Sequence, residues 1–356
     1  MNDYIKELKI GNVKIKNNII LAPMAGITDY PFRLLSLIFG VGLTVSEMVN
    51  VTGMHYKSKL TPTLIKRAEG ERPFSIQLFG NNADHFATSV RFIAENKLSE
   101  IIDINMGCPA KNVTSSKSGV YLMKDIENAK KIVKSAVAAA AEYNPAPPVT
   151  VKIRLGWDLN SIIAPDFCRM LEDLGVSMIT VHGRTYSMMF SGTPLYKYIA
   201  ECKKAVKVPV IANGDINLYE SIKNVIDITG TDGVMIGRAA MGRPWIFKDI
   251  LNAAENKNGL HFQIPDMIKL MKIHSKLVEE FYRDISGIVT IRKHLLWYTR
   301  GWHQGAQLRE KLKLAESTEH IEQMLSEYLS SSKFVDIPEN RVFNVYSHSP
   351  QQIETV

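Results

Sequence analysis

Short runs of β-branched and other apolar residues recur along roughly the first 240 residues, and each run ends in polar or glycine-containing sequence. Segments with apolar residues at helical spacing separate these runs, so the pattern predicts alternating strands and helices. The eight predicted strands are Asn18 to Ala22, Leu43 to Ser46, Phe74 to Phe79, Ile101 to Asn105, Val149 to Arg154, Ser177 to His182, Val208 to Ala212 and Gly233 to Ile236. Eight parallel strands predict an α/β fold, a (β/α)8 TIM barrel rather than an open doubly wound sheet. The absence of a glycine-rich dinucleotide fingerprint after the first strand also disfavours the open sheet.

The pattern changes after Trp245, where apolar residues follow three- and four-residue spacings and strand-like runs stop. The segments Met267 to Phe281, Ile288 to Thr299 and Ile321 to Leu329 therefore predict an all-helical C-terminal domain. We expect a barrel domain over residues 1–250, a helical domain over 251–335 and a flexible polar tail over 336–356.

Composition narrows the class of protein. The chain has 356 residues, of which 46% are hydrophobic, and this content excludes a disordered chain. The longest apolar runs have the length of strands, so no membrane span is expected. The N-terminus lacks a basic region followed by an apolar core, and three cysteines cannot form a disulfide framework. A cytoplasmic location is therefore expected.

Basic residues are concentrated in one segment. The chain carries 43 basic and 36 acidic residues, for a formal net charge of +7. Residues 291–313 contain a single acid, Glu310, and six basic residues. Those six are Arg292, Lys293, Arg300, Arg309, Lys311 and Lys313, interleaved with His294, Trp297, Tyr298, Trp302 and His303. This mixture suits phosphate contact and base stacking, and the alternative is a solvated helix face whose aromatic residues enter a core.

The catalytic end of such a barrel lies at the carboxyl ends of its strands, where this sequence is strongly polar. Glycines in Asn213-Gly214-Asp215 and Gly237-Arg238 let backbone N–H groups approach an anion, and Arg238 adds a positive charge. These two loops follow strands seven and eight, the usual phosphate site, so they predict a phosphorylated ligand. The alternative is a pair of tight turns with an incidental arginine.

Lys152 lies inside an otherwise apolar strand, where an unpaired ammonium is costly and calls for an anionic or electron-rich partner. A flavin would provide one, because a nearby cation stabilises the reduced ring. Gln77 offers both a donor and an acceptor to the pyrimidine edge of the same ring. Each of these residues, taken singly, is equally consistent with filling a layer of the barrel.

Cys108 is the strongest single candidate for catalysis. It sits in a Gly-Cys-Pro turn directly after the fourth strand, whereas Cys168 and Cys202 lie in helix-like stretches and are expected in the core. An exposed thiol at that position could act as a nucleophile or a proton donor. No second cysteine lies at ligand spacing, so a metal role is not expected.

The chain resembles the tRNA-dihydrouridine synthases, most closely the bacterial B-type branch, from about residue 9 to residue 330. The matching strings are LAPMAGITDYPF from Leu21, GLTVSEM from Gly42, IIDINMGCPAK from Ile101, VHGRT from Val181, VPVIANGDI from Val208, MIGRAAMGRPWIF from Met235 and RKHLLWY from Arg292. Chance or shared barrel ancestry would not place seven such strings in order.

The resemblance implies an FMN-containing barrel and a helical domain that grips tRNA, with NADPH as reductant and no obligate protein partner. The matched isoalloxazine contacts are Pro23, Met24, Ala25, Gln77 and Lys152, with His182 against the flavin or the uracil. The matched phosphate contacts are Asn213, Gly214, Asp215, Gly237 and Arg238. Asn105 and Arg184 would face the substrate base, and Arg292, Lys293, His294 and Arg300 would contact the RNA.

The implied reaction reduces the C5=C6 bond of specific uridines. A flipped-out uracil stacks on the reduced flavin, N5 gives a hydride to C6, and Cys108 protonates C5 from the other face.

The sequence departs from the family pattern at two positions. Tyr121 puts bulk at the turn after the cysteine, and Tyr186 stands where a basic residue is common. Two other functions remain open. One is an FMN barrel reductase that acts on a small molecule, and the other is an RNA-binding module that has lost catalysis.

Overall fold

The computed structural model describes residues 3–68, 70–260, 262–283 and 285–331. A hairpin of β1 and β2 precedes a sheet whose hydrogen-bonded order is β3-β11-β10-β9-β8-β7-β6-β4, with β5 also paired to β6. All strand pairs of this sheet are parallel. The strands are β1 Leu8–Ile10, β2 Val13–Ile15, β3 Ile19–Leu21, β4 Thr44–Val45, β5 Val49–Asn50, β6 Phe74–Phe79, β7 Ile101–Met106, β8 Val149–Ile153, β9 Met178–His182, β10 Val210–Asn213 and β11 Gly233–Ile236.

The predicted (β/α)8 barrel is confirmed, and each of the eight predicted strands overlaps an observed one. The sequence prediction missed the hairpin and β5, because three- and two-residue strands give too little alternation to detect. The sheet closes between its first and last strands. There the Leu21 N–H donates to the Leu43 carbonyl at 3.0 Å, and the Gly42 N–H donates to the Ile19 carbonyl at 2.9 Å.

The barrel interior is apolar on one side and polar on the other. Ile20, Ile211 and Met235 point inward on β3, β10 and β11, and they share one cluster with Leu8 and Ile15 of the hairpin. The hairpin therefore seals the amino-terminal end of the barrel with apolar side chains. Most inward residues of β6 to β9 are polar instead, and the apolar exceptions, Ile101 and Met178, join the cluster at the amino-terminal end. The polar ones are Ser75, Gln77, Asp103, Asn105, Thr150, Lys152, Thr180 and His182.

Within the described residues, ten α-helices surround the barrel or follow its strands. They are α1 Tyr30–Ile38, α2 Val51–His55, α3 Thr61–Ile65, α4 Ala83–Glu95, α5 Lys111–Thr114, α6 Ile126–Ala141, α7 Ala164–Asp173, α8 Tyr196–Ala205, α9 Tyr219–Thr229 and α10 Ile246–Ala254. Asp29 begins α1, because its carboxylate accepts the Phe32 N–H at 3.1 Å and Pro31 needs no N–H partner in the first turn.

In the part of the chain described after α10, four further α-helices form the predicted helical C-terminal region. They are α11 Ile264–Tyr282, α12 Ile285–Tyr298, α13 Gly305–Leu312 and α14 Thr318–Ser331. The boundary predicted between residues 250 and 251 falls inside α10, and the division into domains stays a prediction. The predicted tail at 336–356 lies outside the described residues. Among the described helices, none has the length and apolarity needed to cross a membrane.

The helical region packs over α1 and the barrel mouth. Tyr282 of α11 donates its hydroxyl hydrogen bond to the Asp29 carboxylate at 3.2 Å, and His294 of α12 stacks on Phe32 with ring centroids 5.1 Å apart. Gly242 follows β11 at a φ of +67°, and a Cβ there would lie 2.4 Å from the Trp297 backbone. Glycine at this position therefore lets α12 approach the barrel closely.

A buried ion pair holds the segment beside the closing seam. The Glu71 carboxylate accepts hydrogen bonds from Arg33 Nε at 2.8 Å, Thr44 Oγ1 at 2.6 Å and the Ala68 N–H at 2.7 Å. Neither charged side chain is more than 1% exposed. This network joins α1, β4 and the loop before β6.

We expect Glu71→Ala to lower the free energy of unfolding by about 3–5 kcal/mol, because it leaves the Arg33 guanidinium buried and unpaired. Urea unfolding followed by circular dichroism measures the loss. Glu142→Ala is the matched control, since Glu142 pairs with Arg91 at the solvent-exposed surface and its removal should change little. Equal unfolding midpoints for the two variants would contradict this role of the network.

Candidate active site

A chain of hydrogen bonds crosses the polar half of the barrel interior. Thr150 Oγ1 donates to the Asp103 carboxylate at 2.6 Å, and Gln77 Nε2 donates to its other oxygen at 2.7 Å. Asn105 Nδ2 in turn donates to Gln77 Oε1 at 2.8 Å. Burial raises the pKa of Asp103 above its usual range, and the two donors oppose that rise.

Asn105 transmits this chain to the cysteine turn. Its side-chain oxygen accepts the N–H groups of Gly107 at 3.1 Å and Cys108 at 2.9 Å. The sequence prediction placed Asn105 against the substrate base, but the described contacts of its amide lie within the protein. Asn105 thereby sets the shape of the turn that carries the half-buried Cys108.

The segment after the cysteine packs directly on it. Gly119 has a φ of +61°, and a Cβ there would lie 2.7 Å from the Cys108 carbonyl oxygen. The next residue, Val120, donates its N–H to that same oxygen at 3.1 Å. Only glycine fits this position without moving the turn. Cys168 and Cys202 are both buried, as predicted.

Lys152 lies beside Asn105 in the pairing register of β8 and β7, half-buried at the mouth. Its ammonium makes no hydrogen bond or ion pair with the residues that the structure describes. Burial first, and then the nearby Arg154 guanidinium, lower its pKa to about 8, while the Asp103 carboxylate opposes both effects. The ammonium is thus left to meet an anionic ligand.

Three arginines surround His182 at the ends of β8, β9 and β11. Burial first, and then the charges of Lys152, Arg154, Arg184 and Arg238, hold the pKa of His182 far below its usual range. Arg184 Nη1 lies 3.3 Å from His182 Nε2, and because arginine only donates, Nε2 must accept. The mouth is therefore strongly positive around a neutral imidazole.

All five donors of Arg184 are occupied within the protein. Besides His182, its guanidinium contacts the Ser191 and Gly192 carbonyls at 3.1 and 2.6 Å and both oxygens of Asp215. No N–H remains for a substrate base, which is where the sequence prediction placed it. Its observed contacts hold the loop after β9 against the loop after β10.

The predicted phosphate loops adopt tight turns, and Arg238 lies exposed beside them. Gly214 has a φ of +133°, and a Cβ there would lie 2.8 Å from Pro194, so the turn requires glycine. Arg238 is exposed and bonds the Asp215 carboxylate at 2.7 Å. Partial burial raises the pKa of Asp215, but Arg184 and Arg238 together lower it below its usual value. Asn213 instead ties two strands together, donating to the Met235 carbonyl at 2.8 Å, and Gly237 lies directly before Arg238 at the end of β11.

The loop after β3 contains the predicted Pro23, Met24 and Ala25, of which Ala25 is exposed. The Met24 N–H is already bonded to Thr28 Oγ1 at 2.8 Å. The Glu47 carboxylate accepts the Gly26 N–H, and burial raises the pKa of Glu47. Glu47 is not among the predicted site residues, although it lies within the matching string that begins at Gly42.

The comparisons with known proteins agree on one family. The family described as Dihydrouridine synthase (Dus) matches residues 20–333. A "Probable tRNA-dihydrouridine synthase" of Rickettsia conorii is 38% identical, over 91% of this chain and 97% of that protein. A "tRNA-dihydrouridine synthase B" of Vibrio vulnificus is 40% identical, over 85% of this chain and 92% of that protein.

The chain belongs to the dihydrouridine synthase family. Solved structures support the barrel fold of this family member. A variant of NCR from Zymomonas mobilis has a TM-score of 0.54 at 15% identity, covering 75% of this chain and 96% of that one. The old yellow enzyme homologue NCR from the same organism has a TM-score of 0.51 at 13% identity, covering 73% and 95%.

The basic aromatic segment of this dihydrouridine synthase divides into exposed and buried parts. Lys293 and Arg300 are exposed, whereas Arg292 is half-buried and donates to the Ala315 carbonyl. Lys293 Nζ lies 3.3 Å from the point that a Cβ on Gly26 would occupy, which places this charge at the barrel mouth. Lys293 and Arg300 are therefore the two predicted RNA-contact residues whose side chains are exposed.

The prediction that His294 contacts RNA is wrong, because His294 is fully buried against Phe32 of α1 and His274 of α11. Tyr298 and Trp302 are buried as well, so the core alternative holds for these aromatic residues. The potential metal-ligand atoms of Asp29, His274 and His294 lie within 4.8 Å of one another. Cysteine spacing, on which the sequence-based prediction about metal binding rests, could not reveal this group. Burial raises the pKa of Asp29 to about 7 and lowers that of His294 to about 3.

We expect Lys152→Met to raise the stability of the ligand-free protein on the order of 2 kcal/mol at pH 7. The lysine pKa is lower in the folded than in the unfolded chain, so its cost is fully present below about pH 8 and is lost as the pH rises toward 10. Thermal unfolding at pH 7 and at pH 10 measures both effects. A gain that is the same at both pH values, or that Lys223→Met on the surface of α9 reproduces, would contradict a buried charge.

Proposed function

We propose that this protein is a tRNA-dihydrouridine synthase, a flavin-dependent enzyme that reduces the C5=C6 bond of specific uridines in tRNA. The observation that carries the proposal is that the same positively charged barrel mouth contains two reactive groups. These are the Lys152 ammonium, which has no partner among the described residues, and the half-buried Cys108 thiol. The names of the relatives support tRNA as the substrate. The cytoplasmic location and the lack of an obligate protein partner stay predictions.

The residues at the mouth fit FMN. Lys152 has a charge without a protein acceptor, Gln77 has a second amide N–H beyond the one bound to Asp103, and Arg238 is exposed beside the glycine turn of residues 213–215. Lys152 and Gln77 would hold the ring, and Arg238, Gly214 and Gly237 would hold the phosphate. FMN, when bound, supplies the hydride, and NADPH is the proposed reductant.

Cys108 is the proposed proton donor. Asn105 and Gly119 fix its turn so that the thiol stays at the mouth, half-buried, where it would give a proton to uracil C5. The neutral His182 lies among the cations and would contact the flavin or the uracil without adding a charge. Lys293 and Arg300 would contact tRNA phosphates on the path toward the mouth.

We expect Cys108→Ala to lower dihydrouridine formation by about 100-fold or more, the effect of losing a general acid. The measurement incubates unmodified tRNA with protein, FMN and NADPH, and quantifies dihydrouridine by nucleoside mass spectrometry. Cys202→Ala is the control and should retain turnover per folded molecule, because Cys202 is buried away from the mouth. Unchanged turnover in Cys108→Ala would contradict the acid role, and no product from the wild-type protein would contradict the function.

We expect Lys293→Ala with Arg300→Ala to weaken tRNA binding and to reduce the slope of log affinity against log salt by about 0.9 for each phosphate that the variant no longer neutralises. Binding of unmodified tRNA at four salt concentrations measures both quantities. The control is His294→Phe, which replaces a buried imidazole by an apolar aromatic ring and should leave binding unchanged. Weaker tRNA binding by His294→Phe than by the double variant would instead identify His294 as the RNA contact.

A further inference from the structure

Three aromatic rings meet beside the cysteine turn, and they include both residues at which the chain departs from the family pattern. Trp157 on the loop after β8 stacks on Tyr186 on the loop after β9, with centroids 3.9 Å apart and planes at 23°. Tyr121 presents its ring perpendicular to Trp157 at 6.4 Å. All three are half-buried, and together with the exposed Lys124 we call them the aromatic rim.

Trp157 is enclosed within the rim, whereas Tyr186 is not. Lys124 Nζ lies 4.3 Å from the Trp157 ring centroid. The Tyr186 ring covers one face of Trp157 at a similar distance, so the ammonium must lie over the other face. The described residues place no second ring and no cation on Tyr186. Tyr186 packs partly against the hydrophobic core, and the part of its half-buried side chain that stays exposed is the surface that the rim offers to a ligand.

The rim is held rigidly and is connected to Cys108. The Tyr186 N–H donates to the Gly156 carbonyl, and the next N–H, of Ser187, donates to the Trp157 carbonyl, both at 2.9 Å. Arg154 bonds the Thr185 and Met189 carbonyls at 2.9 and 2.7 Å, and its Nε bonds the Gly107 carbonyl at 2.9 Å. One buried arginine thus fixes the loop of Tyr186 relative to the cysteine turn, so a ligand would not have to order it.

The surface next to the rim is positively charged. Lys111, Lys117 and Lys124 are all exposed, and the sequence has no acid between residues 111 and 124. The acids that flank the rim, Asp125 and Asp158, are half-buried and accept hydrogen bonds from their own loops. None of the three lysines forms an ion pair within the part of the chain that the structure describes. A flat π surface bordered by unpaired lysines is complementary to a nucleotide, which offers a base to stack and a phosphate to neutralise.

We propose that the aromatic rim binds a nucleotide adjacent to the reduced uridine, with its base stacked on Tyr186 and its phosphate near Lys124. The proposal rests on the proposed function, because it takes tRNA as the substrate. Stacking on a tyrosine tolerates any base, so the rim would hold the RNA strand in place beside Cys108 without reading its sequence.

The test measures the affinity of the FMN-loaded protein for an unmodified tRNA transcript, together with KM and kcat for dihydrouridine formation. We expect Tyr186→Leu to weaken affinity by about 5- to 150-fold, the range for removal of one base stack, and to raise KM accordingly. Leucine retains apolar contact with Trp157 but has no π face. Tyr186→Phe should bind within about twofold of wild type, since it keeps the stack.

Two further variants separate the rim from general surface effects. Lys124→Gln should reduce the salt slope of tRNA binding by about 0.9, the value for one phosphate contact. Phe92→Ala removes an aromatic ring that is 45% exposed on α4 and should leave tRNA affinity unchanged.

Equal affinity of wild type and Tyr186→Leu at every salt concentration would overturn the proposal, as would an equal loss in Tyr186→Phe. Weaker binding by the rim variants without dihydrouridine from the wild-type protein would refute the proposed function and leave the nucleotide site supported. Dihydrouridine formation by the wild-type protein, with unchanged tRNA binding in Tyr186→Leu, would support the proposed function and refute the nucleotide site at the rim.

Discussion

The hydrogen-bond chain from Thr150 through Asp103, Gln77 and Asn105 to the cysteine turn is the constraint on which the mouth of this barrel depends. Its members come from three neighbouring strands and point into the barrel, where apolar residues would otherwise fill the layer. Because each of these buried side chains finds a partner in the next residue, the layer can be polar without a large energetic penalty. The last member of this hydrogen-bond chain, Asn105, accepts two backbone N–H groups of the cysteine turn. The pairing of the strands therefore fixes the position of the Cys108 thiol.

A second group of contacts does the same for the loops on the other side of the mouth. Arg154 and Arg184 are almost fully buried, and both direct their donors to loop carbonyls or to Asp215. Buried guanidinium groups are costly unless their donors are satisfied, so these loops must keep their observed shape. Their charges still act through space and add to the effect of burial, which is the main reason that His182 stays neutral. One pair of residues therefore serves both loop geometry and the electrostatic field of the site.

The helical region contributes to the same mouth from outside the barrel. Gly242 and Phe32 let α12 lie close to the barrel, and this contact brings Lys293 next to the loop after β3. Its buried aromatic residues form the interface, while its exposed cations face outward. The buried face of the segment thus carries core aromatic residues, and the exposed face carries the cations that are predicted to contact RNA. Neither a purely RNA-binding segment nor a purely structural one explains both faces.

The sequence by itself determined the eight strands, the helical C-terminal region, the position of Cys108 and the family, because periodicity and long ordered strings are local properties of the chain. It also indicated that Lys152 needs an anionic partner, since a charge inside an apolar strand is visible without a structure. It could not determine which polar groups were already satisfied. Only the tertiary structure decided that Arg184 and Asn105 are committed to the protein, that His294 is core, and that Tyr121 and Tyr186 meet on Trp157. The physical reason is that a donor, a face or a ring is occupied by whatever the fold brings beside it, and those partners lie on different loops and strands.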